Sequence, residues 1–258
     1  MIVEFIGASG AGKSTLAQAL AAQPTKGGNT AMEWDLVLGR PGFQRISHPT
    51  ARNVIAEVAT LPSLIRTWPR NRAFMSYCWR ILAERSRSRF EQLNYQRSIM
   101  RKVGMYELAR HDGGGNSAVL ADEGTLLIAY YLFVYSRSPF EKAELNRFAS
   151  LVPLPDRIVY VRAPLESLID RAVSRVDRRR ELASIEHAEI AHWIARAVEM
   201  FDYLATTSPI RDRILTVDNV DDSGANRERL VDLIGQFVYA GRRGQFQHPS
   251  EPPLRFGS

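Results

Sequence analysis

The sequence predicts a three-layer α/β fold, in which a central parallel five-stranded sheet carries helices on both faces. Three observations lead to this prediction. Short apolar runs rich in β-branched residues alternate with longer segments of helical periodicity. The first apolar run continues directly into a glycine-rich loop and a helix, which is the start of a strand–helix–strand unit. A chain of 258 residues is long enough for one such domain with an inserted lobe.

The first element is a strand followed by a phosphate-binding loop. Ile2 to Ile6 is apolar and rich in β-branched residues, Gly7 to Thr15 reads G-A-S-G-A-G-K-S-T, and Leu16, Ala19 and Leu20 recur at helical spacing. This is the G-x-x-x-x-G-K-S motif in the strand–loop–helix context that it needs. Its glycines let successive backbone N–H groups converge on one point at a helix N-terminus, where they bind phosphate. The motif therefore specifies a P-loop NTPase fold that binds a nucleoside triphosphate.

The side chains of this loop indicate the cofactors. Lys13 can reach the β- and γ-phosphates, and the Ser14 hydroxyl suits a Mg²⁺ ligand. We therefore expect ATP and Mg²⁺, although the sequence does not separate ATP from GTP. The loop residues expected to contact the nucleotide are Gly7, Ser9, Gly10, Ala11, Gly12, Lys13, Ser14 and Thr15.

The next segments predict a helical lobe inserted into the core. Thr30 to Leu38 is the second predicted strand. From Ala51 to Arg110 the sequence carries three apolar stripes of helical spacing, interrupted at Pro62 and broken at Pro69. About sixty helical residues are more than a crossover connection needs. We therefore predict a substrate lobe at about residues 50–110.

The remaining strands complete the sheet. Ala118 to Ala121, Arg157 to Val161 and Ile214 to Val217 are short apolar runs, and each precedes a segment of helical spacing. With them the parallel sheet reaches five strands. Residues 1–240 are thus predicted to form a single domain, and residues 241–258, which show no periodicity, a flexible tail.

Composition bounds the cellular setting. Cys78 is the only cysteine, so an intramolecular disulfide is impossible and a reducing cytosol suits the chain. No signal peptide fits before the first strand, and the most apolar later stretch, Leu126 to Tyr135, is too short to span a bilayer. The net charge of +6 comes mainly from arginine, which pairs with phosphate, although a biased coding genome gives the same excess. We expect a cytoplasmic protein without membrane contact.

With this order of elements, the chain resembles the P-loop kinases of the thymidylate kinase and deoxynucleoside kinase type. In these kinases a strand, a Pro-Glu helix start and an Arg-x-x-x-Arg helix lead into a mobile lid, and Asp156 to Glu181 has that pattern. The resemblance implies a lid at about 171–185, with Arg171, Arg175 and Arg178 above the phosphates. Arginines there can stabilise the charge on a transferring phosphoryl group. The segments that carry the resemblance are Ile2 to Thr15, Val119 to Gly124, Asp156 to Glu181 and Arg213 to Asp218.

One departure from the family concerns the acceptor. These kinases usually carry Asp-Arg or Glu-Arg after the strand that here ends at Ala121, and the arginine holds the acceptor; this chain has Asp122-Glu123. An acid where a monophosphate needs positive charge favours a neutral or cationic acceptor, such as a nucleoside, a sugar or an aminoglycoside-like metabolite. Asp122, at the carboxyl end of a central strand, is expected to help hold Mg²⁺. Glu123 is expected to accept a hydrogen bond or a proton from an acceptor hydroxyl.

The general base is expected just after the second strand, where deoxynucleoside kinases carry theirs. Glu33-Trp34-Asp35 stands there; Asp35 is the candidate, Glu33 is nearly as good, and Trp34 either stacks on an acceptor ring or fills the core. Other polar side chains that could contact the acceptor, each with an equally good surface role, are Arg40, Gln44, Arg45, Gln92, Gln96 and Arg97.

These observations predict an ATP- and Mg²⁺-dependent kinase that transfers the γ-phosphoryl group to a hydroxyl of an unphosphorylated small-molecule acceptor. A nucleoside monophosphate kinase of the thymidylate kinase type remains an alternative, because arginines of the lobe can replace the missing one. An NTP-dependent switch or a nucleic-acid 5′-hydroxyl kinase is a second alternative, without a positive motif. A homodimer is compatible with the sequence, and nucleic acid is a disfavoured but open partner. The expected catalytic residues are Lys13, Asp35, Asp122, Glu123, Arg175 and Arg178, with Ser14 and Asp122 at the metal.

Overall fold

The computed structural model describes residues 1–23, 30–38, 49–86, 88–112, 118–135, 139–174, 187–221 and 223–240. Its strands are β1 (Ile2–Ile6), β2 (Thr30–Met32), β3 (Ala118–Ala121), β4 (Arg157–Arg162) and β5 (Ile214–Asp218). They form one parallel sheet in the order β2-β3-β1-β4-β5. All residues of β1 and β3 are buried, and because successive side chains of a strand point to opposite faces, both faces are covered. The predicted fold class is confirmed.

Helices connect and cover these strands. Because the strands are parallel, the segments that follow β1, β2 and β3 lie at the same edge of the sheet. A π-helix spans Tyr130–Val134, and a short 3₁₀ turn spans Arg211–Arg213. The α-helices in the described part of the chain are α1 (Lys13–Ala22), α2 (Asp35–Leu38), α3 (Pro49–Arg85), α4 (Arg89–Asp112), α5 (Lys142–Leu151), α6 (Leu165–Ser174), α7 (His187–Thr206) and α8 (Gly224–Ala240).

The second strand is shorter than predicted. It ends at Met32, so the prediction of a strand as far as Leu38 is wrong. The chain turns there because the Asp35 carboxylate accepts a hydrogen bond from the Met32 N–H (3.1 Å) and begins α2. Val37 of that helix is buried in a small core with Ala56 of α3. A local hydrogen bond between side chain and backbone, together with contact with the lobe, therefore decides the structure of this segment.

The lobe consists of α3 and α4, and α3 bends sharply near Pro69. The ring centroids of Trp68 and Trp79 are 5.8 Å apart. In a straight helix, the backbones of these two residues would be separated along the axis by about 16 Å. The bend follows from the proline, which lacks the N–H that the helix needs. Both halves of α3 bond to α4, the first through Glu57 and the second through Asn71. The lobe is thus a three-segment helical unit beside the sheet.

Two other helical predictions need correction. α3 continues through Pro62 and Pro69, where the sequence predicted an interruption and a break. After β3, where the sequence predicted a segment of helical spacing, residues Thr125 to Tyr135 form a turn followed by the π-helix. Within the described ranges, none of the helices combines the length and the apolar character that crossing a bilayer requires.

Candidate active site

The loop between β1 and α1 has the backbone that a phosphate-binding site needs. Gly7, Gly10 and Gly12 have φ angles of 140°, 90° and 94°. A Cβ on Gly7 would lie 2.3 Å from the Val161 carbonyl oxygen, and one on Gly12 would lie 2.6 Å from Asn219 Nδ2, so side chains are excluded there. α1 begins directly after the loop, and its first turn contains no acidic residue. The positive end of its dipole therefore faces the loop and favours an anion.

Lys13 is buried beside this loop. The residue is 8% exposed, and its ammonium group donates hydrogen bonds to the carbonyl oxygens of Gly7 (2.9 Å) and Ala8 (3.0 Å). A full positive charge is thus held against the loop, where the predicted β- and γ-phosphates bind. Ser14 and Thr15, the next two residues of α1, are exposed. The Ser14 hydroxyl is therefore accessible to a ligand.

Three side chains from separate parts of the fold hold the loop by hydrogen bonds. One belongs to the π-helix, one to α6 and one to the segment after β5, so the loop is fixed on several sides. The sequence predicted Arg171 near the phosphates, and the structure brings this side chain to the loop. The three hydrogen bonds are Ser9 N–H to Tyr130 Oη (3.0 Å), Arg171 Nη1 to the Gly10 carbonyl oxygen (3.3 Å) and Asn219 Nδ2 to the Ala11 carbonyl oxygen (2.9 Å).

Gly12→Ala should weaken nucleotide binding, because the added methyl group would meet Asn219 Nδ2 and the left-handed backbone would be strained. We expect the dissociation constant for Mg²⁺–ATP to rise by about tenfold or more. Gly224→Ala is the matched control, since nothing lies within 4 Å of a Cβ at Gly224. Isothermal titration calorimetry measures both variants. Equal affinities would contradict the tight packing of Asn219 against the loop.

Three acidic residues and one lysine gather at the same edge of the sheet. Glu33 follows β2, and Asp122 and Glu123 follow β3. Lys102 of α4, whose side chain is 5% exposed, donates a hydrogen bond from Nζ to the Glu123 carbonyl oxygen (2.5 Å) and lies 3.4 Å from Glu123 Oε2. The charges of Lys102, Asp122 and Glu123 all act on Glu33. These four residues are referred to here as the acidic cluster.

Glu33 is the member of the acidic cluster best suited to proton transfer. The residue is 7% exposed. Burial raises the pKa of its carboxyl group to about 7, because the charged form loses its hydration; Lys102 opposes this shift, and Glu123 adds to it. A carboxyl group with a pKa near neutrality can take up a proton at physiological pH and release it again.

Glu4, in the middle of β1, is bonded to the turn that follows the acidic cluster residues Asp122 and Glu123. It is 1% exposed, and its carboxyl oxygens accept hydrogen bonds from the Leu126 N–H (2.8 Å) and the Thr125 hydroxyl (3.3 Å). Gly124 makes this approach possible, since a Cβ there would lie 2.5 Å from Glu4 Cδ. Burial, and then the charge of Glu33, raise the pKa of Glu4 to about 8. Glu4 thus anchors the turn that carries the two acids after β3.

Asp122 offers an oxygen atom for a metal ion. In the described part of the chain, its Oδ1 is buried and has no hydrogen-bond partner, which is uncommon for a carboxylate. Mg²⁺ prefers oxygen ligands and is usually held by one or two protein side chains together with phosphates and water. Over the described residues, no three His, Cys, Asp or Glu side chains form a metal site by themselves. Ser14 and Asp122 therefore fit a Mg²⁺ ion that arrives with the nucleotide.

The other residues predicted for the site either lie apart from the acidic cluster or fall outside the described ranges. Asp35 is exposed at the start of α2, and its carboxylate bonds to the Met32 N–H. Trp34 is partly buried and packs against the small core that α2 shares with the lobe. Arg97 is exposed and pairs with Glu57 (2.8 Å). The predicted residues outside the described ranges are Arg40, Gln44, Arg45, Arg175 and Arg178.

Four residues of the site escaped the sequence analysis: Glu4, Lys102, Tyr130 and Asn219. Glu4 carries a signal, because an isolated acid inside an apolar strand is a buried charge that needs partners. Lys102 carries a weaker one, as a lysine in a chain whose basic residues are mostly arginine. Tyr130 and Asn219 have none, because their loop contacts join residues 121 and 208 positions apart.

Comparison with known proteins finds similarity at the level of structure only. The structure of deoxyadenosine kinase from M. mycoides with bound dATP is 14% identical to this chain, with a TM-score of 0.47, and the alignment covers 91% of this chain and 99% of that chain. A second structure of deoxyadenosine kinase from M. mycoides, with the products dCMP and a flexible dCDP, is 13% identical, with the same TM-score and coverages of 92% and 99%. No protein-family model and no curated protein sequence matches the chain. Both structures are of kinases, the class of enzyme that the sequence resembles, but at this TM-score the likeness assigns no function.

Proposed function

We propose that this protein is an ATP- and Mg²⁺-dependent kinase that phosphorylates a hydroxyl group of an unphosphorylated small molecule. One observation carries the proposal. The phosphate loop, with Lys13, follows β1, and the acids of the acidic cluster follow β2 and β3, so both groups lie at one edge of the sheet. Phosphoryl transfer needs a donor site and an acceptor site side by side, and it asks the protein mainly for alignment and charge neutralisation.

The donor side binds the triphosphate. Lys13 and the converging loop amides neutralise the β- and γ-phosphates, as the buried ammonium group and the open helix N-terminus allow. Ser14 and Asp122 would hold Mg²⁺, which supplies further neutralisation of the phosphate charge when it is bound. The proposal therefore uses ATP as the phosphoryl donor and treats the metal as part of the nucleotide complex.

Arginines complete the donor side in this proposal. Arg171 reaches the loop from α6. Arg175 and Arg178 follow it in the sequence and are proposed to act as lid residues that stabilise the phosphoryl group during transfer. A lid that closes over both substrates also excludes water, so hydrolysis of ATP without an acceptor should be slow.

On the acceptor side, we assign the role of general base to Glu33 in preference to Asp35. Glu33 is buried, and the charges of Asp122 and Glu123 act on it, whereas Asp35 is exposed and its carboxylate accepts a hydrogen bond from the Met32 N–H. In the reaction, the acceptor oxygen bonds to the γ-phosphorus while the bond from that phosphorus to the β,γ-bridging oxygen breaks. The proton of the hydroxyl passes to the Glu33 carboxylate, and ADP leaves.

The charge of the acidic cluster selects the acceptor. Two positive charges act on Glu33, and both are already engaged: Lys102 is bonded to Glu123, and Arg101 lies 3.7 Å from the carboxylate of Glu57. A monophosphate brought here would face these carboxylates, whereas hydroxyl and amino groups would find hydrogen-bond acceptors. We therefore propose a nucleoside, a sugar or an aminoglycoside-like metabolite as the acceptor. A nucleoside monophosphate kinase is the alternative that the test must separate.

An ADP-release assay with Mg²⁺ and ATP tests this proposal. The panel contains nucleosides, sugars and aminoglycosides in one arm and nucleoside monophosphates in the other. Turnover with an unphosphorylated acceptor is the expected result. Turnover with monophosphates alone would overturn the acceptor assignment, and acceptor-independent hydrolysis that responds to a macromolecule would favour an NTP-dependent switch.

Asp122→Asn should lower turnover by about 10²-fold and raise the Mg²⁺ concentration needed for half-maximal activity. The amide keeps the size of the carboxylate but removes its charge. Asp212→Asn is the control, because Asp212 is an exposed acid in the 3₁₀ turn. A Mg²⁺ titration of the initial rate separates the variants. Insoluble Asp122→Asn protein would instead indicate that Asp122 stabilises the fold.

A further inference from the structure

The π-helix Tyr130–Val134 connects the two proposed substrate sites. π-helices are rare and frequently occur at functional sites. Its first residue, Tyr130, accepts the Ser9 N–H of the phosphate loop (3.0 Å). Its second residue, Tyr131, lies beside the acidic cluster, with its ring centroid 6.0 Å from Lys102 Nζ. Two successive residues therefore contact the donor side and the acceptor side.

The position of the Tyr130 hydroxyl is fixed by the packing of its ring. Tyr130 is 5% exposed, and its ring centroid lies 5.5 Å from that of Phe201 on α7 and 5.7 Å from that of Tyr135. The Tyr135 N–H donates to the Tyr130 carbonyl oxygen (3.1 Å), which closes the turn of the π-helix. The core thus holds the ring, and the hydroxyl group is the part of this side chain that meets the loop.

We propose that Tyr130 is a positioning residue for the phosphate loop, and that the π-helix couples the geometry of this loop to the acidic cluster. The inference rests on the proposed function, because it assumes that the loop binds nucleotide. A loop held in its curled form before binding loses less conformational freedom when the nucleotide arrives. Because Tyr131 adjoins Lys102, a change around Lys102 reaches the loop through one turn of helix.

Tyr130→Phe tests the positioning role of Tyr130, because it removes the hydroxyl oxygen and keeps the packed ring. Tyr160→Phe is the matched control: Tyr160 is 2% exposed, its ring also packs on Phe201 (6.1 Å), and its hydroxyl bonds to Asp202 (2.9 Å) on α7. Calorimetric titration with Mg²⁺ and the non-hydrolysable analogue AMP-PNP measures affinity. We expect the dissociation constant to rise about fivefold in Tyr130→Phe and to change little in Tyr160→Phe, at similar melting temperatures.

A double-mutant cycle tests the proposed coupling between the phosphate loop and the acidic cluster. Lys102→Met should also weaken AMP-PNP binding, although Lys102 is bonded to Glu123 and not to the loop. Combined with Tyr130→Phe, its effect should be smaller than the product of the two single effects, because both variants release the same helix. The melting temperature of Lys102→Met, measured beside that of the wild type, shows whether the variant is folded, and a folded variant with wild-type affinity for AMP-PNP would overturn the coupling.

Each remaining outcome overturns a defined claim. Wild-type affinity in Tyr130→Phe would overturn the positioning role while leaving the kinase proposal intact, since the wild type still binds. A melting temperature that falls only in Tyr130→Phe would indicate a structural role instead. Independent effects of the two substitutions would overturn the coupling. Absence of AMP-PNP binding by the wild type would overturn the proposed function itself.

Discussion

Lys13→Ala should abolish phosphoryl transfer, with a fall in kcat of about 10³-fold or more. The substitution removes the buried positive charge that stands against the loop carbonyl groups of Gly7 and Ala8. The developing charge on the γ-phosphate then loses its fixed counter-charge, and water cannot replace it as effectively. Initial rates with saturating Mg²⁺–ATP and the acceptor found in the panel measure the effect.

The fold should survive this substitution, because the loop keeps its bonds to Tyr130, Arg171 and Asn219. Lys142→Ala is the matched control, since Lys142 is an exposed lysine of α5 whose ammonium group lies over the ring of Tyr203. The control should keep wild-type rates. Normal turnover by Lys13→Ala, with a normal melting curve, would contradict the assignment of the phosphate loop.

Glu33→Gln should lower kcat by about 10²- to 10⁴-fold, the usual contribution of a general base, while the KM for ATP stays nearly constant. The wild-type rate should rise with pH through about 7, because the base acts in its deprotonated form and burial raises its pKa to that value. The variant should lack this acidic limb. Rate measurements between about pH 5.5 and 8.5 test both expectations.

The stability of Glu33→Gln should move in the opposite direction from its activity. The pKa of Glu33 is raised from 4.5 to about 7 in the folded protein, so the folded state binds this proton more tightly than the unfolded chain does. Wild-type stability therefore declines as pH rises between these two values, and the uncharged glutamine avoids that loss. Above pH 7, Glu33→Gln should melt at the wild-type temperature or higher. The same is expected of the control Glu84→Gln, because Glu84 is exposed. A destabilised variant at pH 8, or unchanged activity, would contradict the role of Glu33.

The donor half of the site could be predicted from sequence because its determinants are local. The strand, the glycine-rich loop and Lys13 follow one another, and each residue type has a direct physical task in holding phosphate. The five-strand sheet was predictable for a similar reason, since short apolar runs between helical segments leave few other arrangements. Asp122 and Glu123 followed from this as residues at the end of a strand.

The acceptor half was harder to predict because tertiary contacts decide it. Asp35 and Glu33 are two positions apart and chemically alike, and only the structure shows that Asp35 is exposed and bonded to the Met32 N–H while Glu33 is buried with charged neighbours. Lys102 lies on α4 and meets Glu123, which follows β3 and is 21 positions away. In the sequence, Glu123 is an acid at a position where a monophosphate needs positive charge; the buried Lys102 adds one positive charge beside it, against the three carboxyl groups of the cluster.

The bend of α3 at Pro69 also bears on the order in which the chain folds. Contacts within the lobe join residues closer in sequence than the contacts of the phosphate loop do: Glu57 bonds Arg97 and Asn71 bonds Glu107, which are 40 and 36 positions apart. The contacts that hold the phosphate loop span 121 and 208 positions. Closing a short loop costs less entropy than closing a long one, and folding rates follow that difference. We therefore expect the lobe to fold first and the nucleotide-binding half to fold against it.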